Sequence, residues 1–123
     1  MSAPRFAPSV SFERIGYAGT FTEPYKELWK RVIASSEQTL WDCINELRDP
    51  AISNSQAVYA LAGIRICGGE DAFESHLRLV EARPGTVPLG LGGCGIEETS
   101  MGKLREIFAA RYPKADSFKK PNL

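Results

Sequence analysis

At 123 residues the chain has room for one domain with one core, and 15 basic against 15 acidic residues leave no net charge. That balance argues against the dense positive surface of nonspecific nucleic-acid binding and equally against an acidic mimic of nucleic acid. Charged residues at 24% and apolar ones at 43% exclude a disordered chain and fit a folded, globular one.

Residues 1–8 carry two prolines without periodicity and read as a loose N-terminal arm. They lack the apolar stretch of roughly 7–15 residues that a secretory signal needs. The longest apolar run, Ala57 to Ile64, is too short to span a bilayer. The expectation is a cytoplasmic protein that does not enter membranes.

Ser9 to Ile15 alternates as a short strand, with Val10 and Phe12 on one face and Ser11 and Glu13 on the other, ended by Gly16 and Gly19. A lone strand leaves its backbone unpaired. Two partners are open: Thr86 to Leu91 of the same chain, or the same strand in a second copy. The second makes Val10 and Phe12 interface residues and the protein a dimer.

Thr22, Glu23 and Pro24 read as a helix start, one residue able to cap, one acid for the positive end and one proline for the first turn. Tyr25, Leu28, Trp29, Val32 and Ile33 follow at the spacing of a buried face, and the stripe continues through Leu40, Ile44 and Leu47. Residues 23–48 therefore form either one helix of about 26 residues, roughly 39 Å long, or two with a kink near Ser35 and Ser36. Asp49 and Pro50 stop it.

Ser53 and Gln56 have the spacing of a capping box and open a helix with Val58, Leu61, Ala62 and Ile66 inward. Its small residues, Ala57, Ala60, Ala62 and Gly63, predict close approach by a neighbour and a central place in the bundle. Gly68 and Gly69 end it. Glu70 and Asp71 start the next helix, whose stripe is Phe73, Leu77 and Val80, and Arg83 and Pro84 close it. A last helix is expected from Ile96, with Glu97 and Glu98 at its start and Met101, Leu104, Phe108 and Tyr112 inward. Residues 114–123, with Lys114, Lys119 and Lys120, read as a solvated tail. The fold class is mainly α: a bundle of four to five helices over residues 9–113 with a short N-terminal β element.

The segment PLGLGGCG, Pro88 to Gly95, is the part a packing argument does not anticipate. Gly90, Gly92, Gly93, Cys94 and Gly95 are ligand-binding candidates, because glycines let a backbone approach a ligand and a helix N-terminus behind them would offer amides to an anion, though Glu97 and Glu98 would repel it. Gly90, Gly92 and Gly95 also meet the G-x-G-x-x-G spacing with Asp116 about twenty residues on, but a dinucleotide site needs a βαβ unit that the pattern lacks. The plain alternative is a connector.

Cys43, Cys67 and Cys94 are too scattered for a zinc site or redox pair and read as reduced thiols. His76, the single histidine, sits at the edge of an apolar stripe without an orienting partner. Trp29 belongs to the first buried stripe, whereas Trp41 lies off it and is an interface candidate. Lys26, Lys30 and Arg31 mix with Glu27 and Glu37 on a solvated face. No metal site or cofactor is read, and no constellation supplies nucleophile, base and oxyanion donor together. The leading expectation is a small interaction protein, an adaptor, inhibitor or regulator acting through a helical face or an edge strand on a protein partner or a second copy. The alternative is an anion-binding or catalytic domain built on the glycine-rich loop.

Overall fold

The computed structural model describes residues 9–14, 19–90 and 95–123. In chain order these form β1 (Val10–Ser11), α1 (Glu23–Ala34), α2 (Ser36–Leu47), α3 (Asn54–Cys67), α4 (Glu70–Glu81), β2 (Thr86–Gly90), β3 (Ile96–Ser100) and α5 (Leu104–Arg111). Short 3-10 turns at Met101–Lys103 and Ala115–Ser117 flank α5. The fold is mainly α, five helices against a three-stranded sheet of order β1-β2-β3.

Thr22 caps α1 by accepting from the Tyr25 N–H. The stripe over 23–48 is divided into two helices at Ser35, whose backbone is extended (φ −167°, ψ 108°). Ser35 ends one helix and starts the other: its N–H donates to the Arg31 carbonyl, and its hydroxyl accepts from the Gln38 N–H at 3.1 Å. One polar residue thus satisfies orphan groups of both helix ends, which makes the break cheap.

The Ser53–Gln56 capping box forms, and α3 is buried from Ala57 to Arg65. A Cβ on Gly63 would stand 2.5 Å from Cys43 Sγ of α2 and 3.1 Å from Leu28 Cδ1 of α1. Glycine here is what allows both outer helices to lie close against the central one. On α4, Phe73, Leu77 and Val80 are buried as their spacing requires.

β1 runs parallel to β2, Val10 opposite Leu89 and Ser11 opposite Gly90. The intrachain partner is therefore the one realised. β2 and β3 are antiparallel, from Thr86 opposite Ser100 to Gly90 opposite Ile96. Gly85, at φ +93°, makes the turn into β2, and the Asn54 amide donates to the carbonyls on either side of it, Pro84 and Thr86, at 3.1 Å each. Pro88 is tolerated in the middle strand because β1 reaches only Leu89 and Gly90, so no neighbour requires its missing N–H.

Two expectations are corrected. Ile96 to Ser100 is a strand and not the first turns of the last helix, which begins at the Met101 turn. Pairing with β2 outweighs the helix-start character of Glu97 and Glu98, and Thr99 is buried opposite Val87. Residues 114–123 do not form a solvated tail. Phe118 is buried and stacks on Tyr112 with ring centroids 4.9 Å apart, Pro121 is buried, and the Lys119 carbonyl accepts from the Tyr25 hydroxyl at 2.5 Å. The three lysines of that segment face water, as do Ala115, Asp116, Asn122 and Leu123.

Candidate functional site

Val10 and Phe12, expected at an interface, lie inside the protein at 0% and 2% exposure. Phe12 contacts the rings of Tyr25, Tyr59, Phe108, Tyr112 and Phe118 at centroid distances of 5.2–6.1 Å. Its face of the strand is covered by α1, α3, α5 and the C-terminal segment together. The outer backbone edge of β1 is closed as well. The Tyr59 hydroxyl accepts from the Ser11 N–H at 3.1 Å, and it lies 3.3 Å from the Ser9 carbonyl and 2.7 Å from Thr22 Oγ1. A tyrosine on α3 thus does for β1 what a further strand would do.

Trp41 stands where its position off the stripe placed it, on the outside of α2 at 54% exposure. Ile33, expected on the buried face, is instead 53% exposed in the last turn of α1, where the helix ends at Ala34. Between these helices Arg31 reaches Glu46 at 3.4 Å and Asp42 at 3.7 Å. Trp29 is half-buried against the core.

Of the glycine-rich candidates, Gly90 is buried in β2 and Gly95 is exposed just before β3, while Gly92, Gly93 and Cys94 lie outside the described residues. The segment joins two antiparallel neighbours, so no helix N-terminus stands directly behind it and no βαβ unit surrounds it. Both features that would have held an anion or a dinucleotide there are missing from the described structure.

Cys43 is buried and desolvation pushes its thiol up to about 12, and burial also raises Cys67. Neither provides a thiolate at neutral pH. His76 Nδ1 lies 2.7 Å from the Ala72 carbonyl on its own helix. Among the described residues, no group of three or more His, Cys, Asp or Glu side chains is placed to hold a metal.

Three of the clefts pair basic and acidic groups in ways that the sequence pattern did not single out. A cleft of about 220 Å³ between α1, α2 and α3 is lined by Arg31, Glu46, Cys43 and Tyr59. A second, about 330 Å³, lies beside the C-terminal segment, where Glu13 accepts from Tyr112 Oη at 2.5 Å and Arg111 at 3.0 Å. Burial first, and the Glu13 contact second, hold the Tyr112 proton well above its ordinary range. The third, about 170 Å³, lies between α4 and α5. There Arg105 grips Glu74 with two bonds of 2.6 and 2.8 Å and Glu81 with one of 2.9 Å. Beside it Arg65, 8% exposed, lies 4.0 Å over the Phe73 ring and binds Glu70 and the Pro113 carbonyl. In each cleft a basic side chain meets a carboxylate of the chain itself, so the pairs tie elements together.

The signals for these groups were slight. Arg65 interrupts an apolar run, and Tyr59 is one large ring among alanines. No family model, no curated protein and no solved structure matches this chain.

Proposed function

We propose that this is a small protein-interaction protein of the cytoplasm, an adaptor, inhibitor or regulator that docks through the outer surface of α1 and α2 onto a second copy of itself. The observation that carries the reading is Trp41, half in water on a regular helix with Ile33 similarly exposed on the adjoining one. Scattered exposed apolar residues are ordinary, but tryptophan is the side chain most enriched where interfaces concentrate their binding energy. The three clefts with ion pairs support the same reading by contrast, since their basic groups meet carboxylates of the chain and Cys43 is held as a thiol.

Sedimentation velocity over a range of concentrations tests it. The wild type is expected to sediment as a dimer, and Trp41→Ala as a monomer with unchanged helical circular dichroism. Quenching of Trp41 fluorescence by iodide should fall as the wild type associates. A dimer indifferent to Trp41→Ala overturns the surface, and a wild type that is monomeric throughout overturns the second copy as occupant.

A further inference from the structure

The outer edge of β3 lies across the sheet from the edge that Tyr59 closes, and among the described residues no strand pairs with it. The Met101 N–H donates to the Gly85 carbonyl at 3.2 Å, while the Thr86 carbonyl is taken by Asn54 on the other side of β2. Alternation along an antiparallel ladder then directs Val87 and Leu89 toward β3, where Thr99 and Glu97 answer them. The backbone groups of Ile96, Glu98 and Ser100 accordingly point outward. Those three side chains share the solvent face of the sheet, with Ile96 50% exposed and Glu98 accepting from Thr86 Oγ1 at 2.7 Å.

We infer that this edge takes up an extended basic segment of another protein as a fourth strand, with lysine or arginine opposite Glu97 and Glu98 and an apolar residue beside Ile96. Backbone bonds to the edge supply affinity in such strand addition, and side-chain complementarity supplies the choice of partner. The acids decide the occupant. Full-length antiparallel pairing of β3 with a second β3 sets Glu98 directly against Glu98, and like charges directly opposite destabilise a ladder. A strand carrying cations there turns the same repulsion into attraction. The inference uses a surface separate from α1 and α2, so it stands or falls apart from the Trp41 reading.

The probe is a fluorescein-labelled peptide TVKKVT, titrated with the full chain and followed by anisotropy, beside its acidic counterpart TVEEVT. TVKKVT is expected to bind and TVEEVT not, with binding weakening as salt is raised. Paired Glu97→Lys and Glu98→Lys substitutions should invert that order and cost TVKKVT about tenfold or more, two opposed charge pairs being reversed. Alternate N-methylation of TVKKVT, which removes the amides facing the sheet, should abolish binding without touching the protein. Trp41→Ala should leave the titration unchanged. Absence of TVKKVT binding, equal affinity for both peptides, or full binding by the N-methylated peptide overturns the inference. Dimerisation lost on Glu98→Pro, whose amide is outside the β2 ladder, overturns the basic segment in favour of a second copy.

Discussion

The two edges of the sheet were built from similar sequence and met opposite fates. Val10-Ser11-Phe12-Glu13 alternates apolar and polar residues, and Ile96-Glu97-Glu98-Thr99 sets two acids between an apolar and a β-branched residue, so each stretch holds two of either kind. At the first edge Phe12 sits among five aromatic rings and Tyr59 answers the backbone. At the second, Ile96, Glu97 and Glu98 are all exposed. The difference lies in what the rest of the chain brings to each: α1, α3, α5 and the C-terminal segment converge on Phe12 beside β1, whereas among the described residues β3 has β2 on one side and no strand on the other. Alternation in a strand states that two faces differ; it does not state which one is covered.

The largest effect is expected from opening the covered edge. Phe12→Ala removes the ring on which five others converge, and a buried phenylalanine reduced to alanine costs about 3–5 kcal/mol, a large share of what a domain of this size possesses. Urea denaturation followed by circular dichroism should show the midpoint fall accordingly. A loss under about 1 kcal/mol would mean that the cluster is not the seal described. For the same reason Phe12→Asp belongs with the core substitutions and is expected to unfold the chain.

Alkali probes the same edge more gently. Burial pushes the Tyr25 hydroxyl from an ordinary 10.0 up to about 12, and burial likewise raises Tyr59 and Tyr112. A raised pKa means that the folded state holds its proton where the unfolded chain has lost it. This contribution to stability is therefore full below pH 10 and is lost as pH rises from there through 12. The tyrosinate absorbance of these three residues and far-ultraviolet circular dichroism, recorded together, should change in one step above pH 10. Ionisation of all the tyrosines near pH 10 with the helices intact would contradict the sealed edge.

What the sequence made legible follows the same division between local and distant causes. Thr22 and Ser53 cap helices within three residues of themselves, so the starts of α1 and α3 were readable, whereas the stripe over 23–48 fitted one helix or two and only the extended backbone of Ser35 decides for two. Gly63 announced close packing because no other residue gives so much room. The failures lay where the cause was remote. Phe118 is one aromatic among lysines, and its burial depends on Phe12 and Phe108, which only the fold brings near. Glu97 and Glu98 suit a helix start equally well, and β2 decides the matter by pairing. Trp41 was legible because its exposure follows from its angle on one helix; the closure of β1 by Tyr59 was not, because it joins residues 48 apart.

The smallest expected effect isolates the comparison most cleanly, because one kind of change can be made at both edges. Val10→Thr and Ile96→Thr each put a β-branched residue of good strand propensity into an existing strand, so the backbone is scarcely disturbed at either place. At Val10, fully buried beside Leu89, the new hydroxyl enters an apolar site, and burying it without a partner costs about 1–3 kcal/mol. At Ile96 the hydroxyl stays in water, and the change should lie within about 0.5 kcal/mol of the wild type. Thermal unfolding of the two variants side by side measures the difference directly. If Ile96→Thr proved as costly as Val10→Thr, Ile96 would be covered in solution and the β3 edge already occupied; a difference of about 1 kcal/mol or more leaves that edge open to an incoming strand.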